Sequence, residues 1–437
     1  MILLNWLNAF RHRIRQRRRK QQLPGSRSGL ASTPGRAKRL SRLTPQQIEL
    51  LEERVLLSAV TVTTAADVLD GDTSSISNLL ATPGADGFVS LREAVIAANN
   101  TAGDDSVLFD AALNGTPILL TISGVAEDAS QSGDLDIATN IDFIGNGAGN
   151  TIIDGFGLDR VFHLLSGNTS EISGVTIQNG MGGLLNAGGN LTVRNSAILN
   201  NVLTDQFDEG GGILQSAGTL TVIASTISNN AALGQFGRGG GISSFGGAGV
   251  TVTVLNSTIS GNSAGAVGGG IFSDAALTIV NSTITGNRSD ADDTGGEAGG
   301  GVDGPSSNFV LHNTIVANNF TGTGVTASDI AESNATGTNN LVGDATTAGG
   351  LSHGLSGNIA GNSGTGTLDI NTVLNTSLTT NGGPTLTHAL VSGSPALDTA
   401  NNTEATNAGL VDDQRGPGFP RIANSTVDIG AFETQFY

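Results

Sequence analysis

One pattern recurs through the middle of the chain and leaves little freedom in the fold. A glycine run with an aliphatic residue leads to a short linker, an alternating stretch, a bend and an asparagine. The alternating stretches are Leu191–Ile198, Leu220–Ile227, Val252–Ile259 and Leu277–Ile284, with a weaker fifth copy at Asn308–Ile315. Each ends in Ile, and three residues later stands Asn201, Asn230, Asn262, Asn287 or Asn318. Five residues before each Ile stands Val193, Val222, Val254, Ile279 or Val310. An earlier copy, Ile172 to Ile177, has Gly180 in the Asn place. Successive anchor Ile residues are 21, 29, 32, 25 and 31 apart.

Self-similarity at this period means stacked supersecondary units, each burying its apolar face against the next. Every unit contains strand-length alternation and no ten-residue helical pattern, so each reads as one coil of a right-handed parallel β-helix. The drifting period fits, because a coil can lengthen at a turn while its core strands stay in register. Alternation sends the anchors inward and Thr/Ser outward; Ile259 is expected in the core and Thr258 on the surface. Asn at a fixed corner can stack as a hydrogen-bonded ladder. The runs Gly210–Gly212, Gly239–Gly241, Gly268–Gly270 and Gly299–Gly301 suit a corner with no room for a side chain. Less regular copies at Leu135–Ile144, Thr151–Asp154 and Val161–Leu165 bring the expectation to about nine coils over 130–345, a rod of roughly 45 Å.

Composition closes other routes. The 437 residues include 64 Gly and no Cys, which excludes disulfide scaffolds, thiol enzymes and Cys-ligated zinc. No apolar run approaches the length of a membrane-spanning helix. Charge divides the chain. Residues 1–54 carry 13 of the 20 Lys+Arg and three acids, whereas the remainder carries seven Arg against 35 acids. The acidic body is a poor partner for nucleic acid, which needs a basic face. The basic cluster Arg11–Lys20 suits a targeting segment. A capped helix is expected from Pro45, with Thr44 as its cap.

The chain divides into a disordered basic leader with an export-associated segment (1–59), an N-terminal cap (60–130), the β-helix (131–345) and a C-terminal region (346–437). The cap contains a short helix begun by Ser90, with Glu93 as capping-box partner and Leu91, Ala94, Val95 and Ala98 on its apolar face.

Several segments resemble known families. Leu51-Glu52-Glu53-Arg54-Val55-Leu56-Leu57-Ser58-Ala59 resembles the LEPR-x-L-L-S-A segment of extracellular planctomycete proteins, with Glu53 in place of Pro; this implies export. Ser90-Leu91-Arg92-Glu93-Ala94 resembles the CSLREA domain, with Val89 in the Cys place. The repeats resemble the pectin-lyase-like superfamily and, within it, polymorphic outer-membrane protein repeats, with Ile replacing Phe. Gly393-Ser-Pro-Ala-Leu-Asp398, Asp412-Asp-Gln-Arg-Gly416 and Asp428-Ile-Gly-Ala-Phe-Glu433 resemble choice-of-anchor surface domains. The chain stops at Tyr437 with no anchor, which favours free secretion.

The superfamily includes polysaccharide lyases and hydrolases, which need convergent carboxylates, calcium ligands or a positioned base. The repeat strands carry Thr, Ser and Asn instead, with isolated Arg194 and His312. The catalytic candidates are Asp154, Asp159 and Arg160, near one turn with His163 beyond. Calcium candidates are Asp205, Asp208 and Glu209 in one loop, and Asp290, Asp292, Asp293 and Glu297 in another. Asp134-Leu-Asp136 is too short to name a metal site. The expected function is a secreted, monomeric structural, adhesive or glycan-binding protein meeting extracellular polysaccharide or surface proteins. The alternative is a lyase or hydrolase acting on uronic-acid-rich polysaccharide. No pocket lined by several strongly perturbed titratable groups is expected.

Overall fold

The computed structural model describes residues 58–435, except 125–126, 248, 295–297, 306–308 and 332–333. The basic leader before Ser58, the helix expected from Pro45 and the calcium candidate Glu297 lie outside the described residues. Everything described belongs to one compact unit, Arg54–Tyr437.

The repeats fold as an all-β parallel β-helix. The first sheet has a main path of ten strands, from Ser58–Val62 to Thr336–Thr338, and the second has ten, from Ile118–Leu119 to Ile359–Ala360. A shorter third sheet begins at Val202–Leu203. A further row of strands, Leu135–Ile137 to Val302–Asp303, joins the first sheet through the long strands Leu184–Arg194 and Ile213–Ile223, which bend at a corner. The ladder therefore begins before residue 131 and continues beyond 345.

Register explains the sequence pattern. Ile177, Ile198, Ile227, Ile259 and Ile284 stack in one fully buried column of the second sheet. Val193, Val222, Val254 and Ile279 do the same in the first. Each such side chain contributes about 1.5–3 kcal/mol by leaving water. The fifth copy is offset by one residue from its sequence reading. Val316 pairs with Ile284 and Leu311 with Ile279, so Val316 and Leu311, rather than Ile315 and Val310, continue the columns. Adjacent Ile-Val and Asn-Asn pairs make the pattern degenerate there, and a one-residue slip exchanges the faces.

The asparagine corner divides its work between two neighbours. Asn200, Asn229 and Asn318 take the left-handed conformation, with φ of 57°, 56° and 63°. The following residue supplies the ladder. Asn201 Nδ2 donates to Asn230 Oδ1 (2.9 Å), Asn230 to Asn262 (3.0 Å), Asn262 to Asn287 (2.9 Å) and Asn287 to Asn319 (2.9 Å). Asn319, not Asn318, is thus the fifth rung, and Asp329 ends the column by accepting from Asn319 Nδ2 at 2.9 Å. These rungs are buried, where an unmatched amide would be costly.

At the N-terminal end, helix Leu91–Asn99 has the expected capping box between Ser90 and Glu93. It lies in sequence between the first two strands of the first sheet and packs against both, and against Leu135–Ile137. Arg92 is fully buried, 2.7 Å from Asp67, and donates to the carbonyls of Ser130, Gly133 and Asp134. Burial is tolerable because its charge is paired and its donors are used.

The C-terminal region lies along the outer side of the second sheet. Gln414 accepts from Thr258 Oγ1 at 2.6 Å and donates to the Ser225 and Leu386 carbonyls. His388 Nε2 lies 2.9 Å from Ser260 Oγ, and the Asp412 carbonyl accepts from Asn256. Arg421, fully buried, meets Glu433 at 2.7 Å. Arg415 sits between the Phe419 and Phe432 rings, 3.9 and 3.8 Å from their centroids. Thr258 points away from the coil core as its alternation requires. Yet it is fully buried, because this segment covers it. The same cover explains an apolar Ile315 at the Thr283 position, packed with Val373, Leu374, Val427 and Ile429.

Candidate functional site

Immediately before the strands starting at Leu184, Ile213, Ile242 and Ile271, the coils present glycine. A Cβ on Gly212 would lie 2.5 Å from the Gly241 carbonyl oxygen, so the corner excludes side chains. The two earlier coils differ. Gly133-Asp134 precedes Leu135, and Asp159-Arg160-Val161 precedes Phe162. Pairing of Leu135–Ile137 with Phe162–Leu164 then sets Asp136 beside His163. Charged groups thereby converge where the next coils carry Leu185, Leu214, Ser243 and Phe272 before charge returns at Asp303.

Asp136 is fully buried. Its Oδ2 accepts from the Ser130 amide at 2.8 Å, while Oδ1 accepts no hydrogen bond. His163 Nδ1 stands 3.2 Å from that Oδ1 and 3.7 Å from Asp128 Oδ1. One ligand atom from each of Asp128, Asp136 and His163 falls within a 4.8 Å group. Asp134 is half-buried, and Arg92 holds its carbonyl. Arg160 lies along the glycine corner, where its Nη1 fills the space a Cβ on Gly182 would need. It donates to the Glu209 and Gly210 carbonyls at 3.1 and 3.3 Å.

The electrostatics follow from crowding in a partly dry corner. Burial, reinforced by Asp136 and Asp159, pushes Asp134 up to about 7. Burial pulls Arg160 down against the opposing pull of Asp208, Asp159, Asp134 and Glu209. His163 is lowered by burial and raised by its Asp136, Asp134 and Asp128 neighbours, with a net upward shift. Asp208 and Glu209 are also raised, chiefly by burial. Shifted titratable groups thus gather at this corner, Asp134, Arg160 and His163 among them. These three occupy the irregular coils, outside the regular repeat strands.

The sequence candidates separate. Asp159 and Arg160 join the corner. Asp208 and Glu209 reach it through their effect on Arg160, and the Asp205 carbonyl accepts from the Asp208 amide at 3.2 Å. Asp154 has structural partners: its carboxylate accepts from the Phe156 amide, Gln178 and Asn179. Asp290 and Asp292 accept from the Thr294 amide, and Asp293 from Thr323. Asp134, Asp136 and Asp128 were not among the sequence's site candidates. The available signal was a pair of acids two residues apart, the second in a row that carries Leu185, Leu214, Ser243 and Phe272 in the next coils.

Beside the corner lies an apolar stripe. Phe207 and Phe236 are 71% and 42% exposed on adjacent loops, their rings stacked 5.3 Å apart at 19°. Next to them Gln206 donates to Gln235 at 3.3 Å. Met181, Val202 and Leu233 are exposed in the same coils. Phe207 adjoins Asp208 and Glu209 in sequence, which joins stripe and corner into one surface.

No family model matches the chain, and no curated protein does. Among solved structures, the crystal structure of pectate lyase Pel9A matches with a TM-score of 0.41 and 13% identity, covering 86% of this chain and 97% of that one. At that score the likeness supplies no argument about substrate or chemistry. No described helix is long and apolar enough to cross a membrane.

Proposed function

We propose that this is an exported β-helix protein that binds polysaccharide along the edge carrying Phe207 and Phe236. The observation behind this reading is the exposed aromatic stack, flanked by paired amides and carboxylates. Exposed large aromatics offer apolar area at small entropic cost. A sugar ring presents C–H faces to such a platform and hydroxyls to Gln206, Gln235, Asp205 and Asp208. Two adjacent coils repeat the contact, so a chain ligand gains by engaging both. The acidic body disfavours polyuronates at low salt and favours neutral or amino-sugar chains. Export rests on the basic leader and the resemblance of Leu51–Ala59. Affinity electrophoresis against neutral, amino-sugar and uronate polysaccharides tests the binding. Phe207→Ala with Phe236→Ala should weaken retention at least tenfold with an unchanged melting temperature. Undiminished retention would refute the platform.

The enzymatic alternative is favoured by a separate observation, the convergence of Asp134, Asp159, Arg160 and His163. A carboxyl near 7 beside a cation suits proton transfer at neutral pH. Turnover of pectin, pectate or alginate, abolished by Asp134→Asn or Arg160→Ala, would establish it. Asp154→Ala is a poor probe, since it breaks three structural hydrogen bonds.

A further inference from the structure

We infer that Asp128, Asp136 and His163 form a divalent-metal site of the zinc class. The inference is independent of the glycan reading and shares only His163 with the enzymatic one.

The first ground is geometry. Ligand atoms at zinc bond lengths in a tetrahedral site lie about 3.3 Å apart. His163 Nδ1 is 3.2 Å from Asp136 Oδ1 and 3.7 Å from Asp128 Oδ1. Asp136 and His163 are register partners on neighbouring parallel strands, so the stacking of the β-helix fixes their separation. The second ground is a buried carboxylate oxygen. Asp136 is wholly buried, its Oδ2 is held by the Ser130 amide, and its Oδ1 makes no hydrogen bond of good geometry, with the His163 nitrogen as its ion-pair neighbour at 3.2 Å. A buried carboxylate oxygen facing an imidazole nitrogen in this way is matched by a proton or a cation between them. It points toward the His163 nitrogen and so into the group of three.

The donor set selects the metal. Calcium and magnesium take oxygen ligands, calcium six to eight of them. One imidazole nitrogen and two carboxylates instead suit Zn²⁺ and its first-row neighbours. Asp128 has a side chain 72% exposed, so the site opens to solvent on that side and water completes the coordination. Three protein ligands with an open position is the pattern of zinc sites that retain a water. The Ser130 amide, whose residue's carbonyl is held by Arg92, orients Asp136 from behind, as outer partners of metal ligands do.

The experiment is zinc titration of the full chain by isothermal calorimetry, with metal content checked after dialysis. The expected result is one Zn²⁺ per chain. His163→Ala should weaken binding at least tenfold, and Asp128→Ala several-fold. His163 is partly exposed and outside the core, so its variant should keep the wild-type circular dichroism and melting temperature. Asp136→Asn, which retains one oxygen for Ser130, is read only if it melts as wild type does. Absence of stoichiometric zinc, or equal binding by wild type and His163→Ala, would overturn the proposal. Tighter binding of Ca²⁺ than Zn²⁺, unaffected by His163→Ala, would overturn the assigned class.

Discussion

The same corner of the solenoid is built in two ways. In the regular coils it is glycine stacked on glycine, with the Gly212 Cβ position only 2.5 Å from the next carbonyl. In the two coils before them it carries Asp134, Asp159 and Arg160, with Asp136 and His163 on the strands that follow. Repetition gives the regular coils their register and buried ladder. It also makes neighbouring coils identical, and a column of identical carboxylates would repel itself. Chemistry that needs different charged groups together is therefore found where the repeat lapses. The C-terminal end of the ladder shows the same thing, with Asp329 replacing an Asn rung and pushed up to about 7 by burial.

Three predictions test this contrast, beginning with the largest effect. Ile259→Asp places an unpaired charge in the dry column and should prevent folding or lower the melting temperature by more than about 10 °C. Thr258→Asp should also be severe, because Thr258 is buried against Gln414. Thr253→Asp, on an uncovered face, should stay within about 1 kcal/mol of wild type. Equal thermal shifts for Thr258→Asp and Thr253→Asp would show that the C-terminal region does not cover the second sheet.

Asn262→Ala removes the middle rung and strips the Asn230 amide and side chain of their acceptor. Two buried donors left unmatched should cost about 4 kcal/mol in urea unfolding. A loss below about 1 kcal/mol would mean that the ladder is not a stabilising feature.

Per step of the variable changed, the smallest effect is a pH slope. With a folded value near 7 against an ordinary 3.8, Asp329 holds its proton in the native state after the unfolded chain has released it. Stability from this group is then greatest below about pH 4, falls as pH rises toward 7 and is level above that, by up to about 1.4 kcal/mol per unit. Asp344 is the acid facing it. Asp329→Asn should flatten the slope between pH 4 and 7. An unchanged slope would place the titration elsewhere.

The fold was legible because Ile-x-x-Asn and Gly-Gly-Gly are backbone statements: an inward column, a tight bend and a corner without side chains. Even the slip in the fifth copy has a local cause, the doubled Ile315-Val316 and Asn318-Asn319. The site was only half legible. Asp159 and Arg160 stood out as charges at a turn. Asp136 and His163 are 27 positions apart in sequence and meet through strand register alone.

By itself the sequence determined the stacking, because alternation and period act between nearest neighbours and can be counted along the chain. Tertiary structure decided which outward residues meet water and which charges meet each other. Thr258 and Thr253 share one local pattern, and only the returning C-terminal segment makes the first a buried residue and leaves the second outside. Asp128, Asp136 and His163 become one group because solenoid stacking brings separate turns within a few ångströms, and no local propensity encodes that distance.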